Sequence, residues 1–190
     1  MNRIFVFSLL SLFIFGCKEE VAIPKPPTYL RLELPDHTYK KYTSGCGYSF
    51  DASSLFEVKD VYDTLGNLTC HKDIKMPKLN AVMHFSYIPM KEQLSTYVNF
   101  SNDKVDEHKL KATAIEDEQI IRSKDRVFGT FFELQGDVAS PFQFYLTDST
   151  DHFVSGVIYF NSRPNYDSLK PTLDYLKIDL MQMMKSFKWK

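Results

Sequence analysis

The chain has 190 residues, 25% charged and 15% aromatic, with seven glycines and a formal net charge of −1. That length and apolar content suffice for one domain with a hydrophobic core and exclude a disordered or low-complexity chain. With no basic excess to hold phosphates, nucleic acid is excluded as a partner.

Residues 1–16 read as a secretory leader. Arg3 supplies the positive start, and Ile4 to Phe15 form an apolar run broken only by Ser8 and Ser11. The run is too short for a permanent membrane span. Ile14-Phe15-Gly16-Cys17 resembles a lipobox, although Phe15 departs from the usual small residue. Cys17 is therefore the expected lipidation site and mature N-terminus. Several acyl chains there, palmitate among them, give stable anchoring, because each buried methylene contributes about 0.8 kcal/mol. The membrane is thus an expected partner, through the N-terminal lipid.

Residues 17–28 read as a lipidated cysteine and tether, since Pro24, Pro26 and Pro27 oppose regular helix. A single domain is expected over 29–190. Tyr29 to Leu34 alternate and end at Pro35, as a short arm or edge strand would. Strands are predicted over 48–52, 56–62 and 70–75, with a turn at Leu65-Gly66-Asn67. The run 79–88 is apolar on both alternating sets, as in a central strand covered on both faces. A helix is expected from Met90, carrying Leu94, Tyr97 and Val98, broken at 99–103 and resuming to Leu110. Residues 114–123 read as another strand.

Residues 126–161 carry the strongest strand pattern. Phe128, Thr130, Phe132 and Leu134 share one face; Phe142, Phe144 and Leu146 follow; Val154, Gly156, Ile158 and Phe160 share another. Short polar connections between them imply an antiparallel meander. Leu169, Leu173, Leu176, Leu180, Met184 and Phe187 recur every three or four residues, predicting a long amphipathic C-terminal helix. Asp167 or Ser168 would cap it, with Pro171 in its first turn. The fold class is α+β, an antiparallel sheet packed against helices. Its element order also resembles the PsbP/Mog1-type sandwich.

With Cys17 acylated, Cys46 and Cys70 form an even pair in an oxidising compartment. A disulfide would close about 25 residues and contribute roughly 3–4 kcal/mol; two buried free thiols are the alternative. No hydrolase elbow, zinc-protease motif, phosphate loop or dinucleotide fingerprint is present. Neither a catalytic site, a metal site nor a cofactor is expected. Asp148-Ser149-Thr150-Asp151-His152, with Ser155 nearby, reads as an Asx-type turn rather than a relay or metal site. Most aromatics fall in strand patterns and are expected in the core, which leaves Tyr29, Tyr39, Tyr42 and Tyr166 as exposed loop candidates for ligand stacking.

Several longer segments resemble the gliding motility lipoprotein GldD family of the Bacteroidetes. They are Pro26 to Glu33, Pro77 to Ala81, Ala139 to Thr150 and Tyr159 to Leu169, with Cys46 and Cys70 also falling where the family's cysteines are expected. The resemblance implies a lipid-anchored envelope component, at the outer membrane, needed for gliding motility and the coupled type IX secretion machinery. It implies a non-enzymatic accessory or docking role, with other gliding or secretion envelope proteins as partners. An anchored glycan- or peptide-binding module is the second reading. Lys18-Glu19-Glu20 resembles a surface-export signal of that phylum, and also suits a solvated charge cluster. Asp63-Thr64-Leu65, Asp148-Ser149-Thr150 and Asp167-Ser168-Leu169 match its short O-glycosylation pattern.

Overall fold

A computed structural model describes residues 33–162 and 165–190. Cys17, the tether and Tyr29 lie outside the described residues. Among the described residues ten strands and two α-helices follow in order: β1 Tyr39–Thr43, β2 Tyr48–Ser53, β3 Glu57–Tyr62, β4 Leu68–Met76, β5 Ala81–Pro89, α1 Leu94–Asp106, β6 Ala112–Arg122, β7 Val127–Gly136, β8 Phe142–Thr147, β9 His152–Phe160, α2 Tyr166–Ser186 and β10 Lys188–Trp189. The α+β class is as expected. One seven-stranded sheet has the order β3-β4-β5-β9-β8-β7-β6, and a three-stranded sheet has the order β1-β2-β10. Every pairing is antiparallel.

The main core lies on one face of the large sheet. Met83 and Phe85 of β5, Phe142, Phe144 and Leu146 of β8, and Val154 and Ile158 of β9 meet Tyr48 and Phe50 of β2 and Leu173, Leu176, Leu180, Met183 and Met184 of α2. Each such fully buried large side chain contributes about 1.5–3 kcal/mol. The register explains Gly156. It pairs with both Phe85 and Phe144, and a Cβ on it would lie 2.2 Å from the Phe144 ring.

Several local expectations are corrected. Residues 99–103 do not break α1, because Asn99, Asn102 and Asp103 simply point to solvent. The helix begins at Leu94 rather than Met90, and the Tyr97 hydroxyl accepts the Lys91 and Glu92 N–H groups just ahead of it. The α2 cap is Asn165, whose side chain accepts the Ser168 N–H, so Pro171 sits a turn deeper than expected. Of the arm or edge strand expected over Tyr29 to Leu34, only Glu33 and Leu34 are described, and neither is in a strand; the first strand, β1, begins at Tyr39. The second sheet face is only partly covered: α1 crosses it, yet His84 of β5 stays exposed.

Candidate functional site

The cysteine pair is bonded: Cys46 and Cys70 form a disulfide between the β1–β2 turn and β4. Tyr48 hangs beside it, its hydroxyl donating to the Cys70 carbonyl at 3.1 Å.

The Asp148–His152 cluster is the Asx turn that the sequence suggested. Asp148 Oδ1 accepts the N–H groups of Thr150, Asp151 and His152, each at 2.9 Å. Burial alone would raise the Asp148 carboxyl; those three N–H groups, with His152, outweigh it and hold it low. His152 turns away, bonding the Tyr87 hydroxyl at 2.8 Å and stacking on Trp189. Ser155 lies on the far side of the β9 ladder, opposite Ser86. Nothing in the turn forms a relay. The other two glycosylation-like triplets are likewise local scaffolding: Asp63 accepts the Leu65 and Asn67 N–H groups, and Ser168 belongs to the α2 cap.

Of the loop tyrosines, Tyr39 and Tyr42 lie on β1 and Tyr166 opens α2, so none of the three is on a loop. They do not converge. Tyr39 donates to Asp179, Tyr42 packs on Phe50, and the Tyr166 hydroxyl points to Glu133. A stacking platform built from them is therefore absent among the described residues.

Two serine–histidine constellations did escape sequence reading, since their members lie far apart in the chain. In the first, Asp179 of α2 is 0% exposed. It accepts His37 Nδ1 at 2.7 Å, the Tyr39 hydroxyl at 3.0 Å and the Ser53 hydroxyl at 2.6 Å. His37 stacks on Tyr175, whose hydroxyl donates to the Pro35 carbonyl. Serine and histidine here share one carboxylate rather than bonding each other, which is a clasp and not a nucleophile-base pair. It fastens the first described residues to α2. In the second, Ser140 Oγ lies 3.1 Å from His108 Nε2 and accepts from Gln143. Ser140 is fully buried, so no substrate reaches its hydroxyl.

Three of the segments carrying the family resemblance, those beginning at Pro77, Ala139 and Tyr159, meet at one end of the large sheet; Pro26 to Leu32 lie outside the described residues. Asn80 and Asn161 exchange hydrogen bonds at 2.8 and 3.0 Å. Ala139, Pro141, Phe160, Ser162, Asn165, Tyr166 and Leu169 line one narrow crevice there. Beside it, Lys111, Thr113, Asp137, Asn165, Tyr166 and Asp167 surround an open hollow of about 250 Å³. Gly136, at φ 104°, lets β7 end close against the start of β6; a Cβ there would lie 2.8 Å from the Lys111 carbonyl oxygen. Glu133 anchors α2 from below through Lys177 at 2.5 Å. The hollow is polar and mixed in charge, and the crevice beside it is mostly apolar.

The family model described as gliding motility lipoprotein GldD matches residues 19–189. The chain belongs to the gliding motility lipoprotein GldD family. Membership makes it a gliding-motility lipoprotein and places it at a membrane of the cell envelope. No helix among the described residues is long and apolar enough to cross a membrane. No curated protein matches the chain.

Proposed function

We propose that this family member is a non-enzymatic docking component of the gliding apparatus and its coupled type IX secretion machinery. In this proposal residues 1–16 are a signal peptide, Cys17 carries the lipid, residues 17–28 are a tether, and residues 29–190 form one domain on the outer membrane. The observation that carries the docking role is the end surface just described. Three of the resemblance-bearing segments, from separate parts of the chain, assemble there into one surface without an accessible nucleophile-base pair among the described residues. The Asp179 clasp supports the arrangement by fixing where the chain enters the domain, alongside α2.

In-cell photo-crosslinking from Asp137 or Asn165 tests the surface. Capture of gliding or secretion envelope proteins, lost on swapping Asp137 and Asp167 for lysine, is the expected result; identical capture from a probe at exposed Glu57 would overturn it. A clean gene deletion should abolish colony spreading and impair secretion, and normal spreading would sink the assignment. Replacing Cys17 by alanine should abolish metabolic labelling with a palmitate analogue.

A further inference from the structure

Helix α1 packs on the sheet near both of its ends. Near its start Tyr97 packs on Phe153, with ring centroids 5.6 Å apart, and Tyr145 stacks on the same phenylalanine. Near its end Val105 packs on Leu134 and Val138. Residues 97, 101 and 105 are one helical stripe, spaced by four. Its middle position is Ser101, too short to reach the sheet. The strands below answer with small or polar side chains: Ser86 pairs with Ser155, and Gln143 with Val157. The result is a hollow of about 200 Å³ between α1 and strands β5, β9 and β8.

Four polar side chains converge on it. None of Ser86, Ser101 and Ser155 uses its hydroxyl on a protein partner among the described residues. Gln143 is only 4% exposed. Its amide nitrogen donates to Ser140, and its carbonyl oxygen has no partner among the described residues, yet no fully enclosed polar atom is left unsatisfied. That oxygen therefore opens into the hollow. Gathering four such groups at the middle of a packing interface costs stability unless something bonds them, whereas one apolar residue at 101 would close the gap. The remaining walls include Phe132 and Val157, with Phe100 at the mouth, 59% exposed. The sole charge lining it is Lys104, already matched by Glu107 at 2.7 Å.

The chemistry asked of a ligand is specific. It is neutral, carries a donor for the Gln143 oxygen and several hydroxyl-like groups for the serines, and presents a C–H face to Phe132, Val157 and Phe100. Its size is about one ring. We infer that the hollow under α1 binds a single neutral pyranose sugar, with Gln143, Ser86, Ser155 and Ser101 as its hydrogen-bonding residues. The site lies on the sheet face opposite the α2 core and does not depend on the docking role.

The test is saturation-transfer NMR on the full-length lipoprotein in detergent, with methyl pyranosides of glucose, galactose, mannose and N-acetylglucosamine and with N-acetyl-leucinamide as a peptide probe. Ser155→Val and Ser101→Leu fill the hollow from opposite walls, and unchanged or raised thermal midpoints show that both variants fold. The expected result is transfer to the ring protons of at least one glycoside, reduced at least fivefold in either variant. Weak transfer to its methyl group marks the end of a glycan as the natural ligand; strong transfer there marks a free sugar. No transfer to any glycoside, equal transfer in the variants, or variant-sensitive transfer to N-acetyl-leucinamide alone overturns the inference.

Discussion

Replacing Asp179 by alanine probes the clasp that ties the start of the domain to α2. The carboxylate is fully buried and accepts from His37, Tyr39 and Ser53. Hydrogen bonds to a charged group contribute about 1.5–3 kcal/mol each, but they share one acceptor and do not add. Removing one side of a buried polar network leaves the other side unsatisfied, so the loss should be about 3–5 kcal/mol. For a domain of this size that is a fall in the thermal midpoint of about 6–20 °C, since each kcal/mol shifts it by about 2–4 °C. Circular dichroism melts of wild type, D179A, Y39F and the double variant measure it. Y39F alone should cost about 1 kcal/mol, and next to nothing when Asp179 is already gone. Alkaline titration adds a second readout. Burial first, then the bond to Asp179, pushes the Tyr39 hydroxyl up to about 12, and D179A should bring it down. A midpoint drop under 2 °C, with Y39F and D179A simply additive, would refute the clasp.

Other perturbations follow from the packing. Reducing the Cys46–Cys70 bond, which spans a sequence separation of 24, should cost about 3–4 kcal/mol on the chain-entropy account; melts with and without reductant measure it, and coincident curves would contradict it. Gly156→Ala drives a methyl group into the Phe144 ring and should cost about 1–3 kcal/mol in urea unfolding; a neutral effect would mean the ring moves freely. Burial holds His108 below its ordinary 6.5, and a protonated Nε2 could no longer accept from Ser140. The unfolded chain therefore takes up a proton that the folded one refuses, so stability is full above about pH 6.5 and falls as the pH drops below it. His108→Gln should flatten that acid limb in urea midpoints measured between about pH 7.5 and 5; an unchanged slope would exclude His108 as its source.

The local alphabet of the fold was legible without coordinates. Alternation from β2 to β9 and the three-to-four-residue repeat of α2 come from side-chain direction alone, so strands 48–53, 68–76, 112–122, 142–147 and 152–160 and the final helix stand close to where the pattern puts them. The even cysteine pair and the family segments were legible for the same reason, being properties of the chain itself. Short pieces were not. Strand β1 carries charge on both sides and β10 has two residues; each exists only because β2 offers it a partner. Asn99, Ser101, Asn102 and Asp103 suggested a break, but a helix whose outer side faces solvent tolerates them. Most of all, tertiary structure decided which polar groups matter. Asp179 lies more than a hundred residues from His37 and Ser53, and Ser86, Ser101, Gln143 and Ser155 come from four different elements. Only the sheet register and the angle of two helices bring them together, and no periodicity in the chain encodes that meeting.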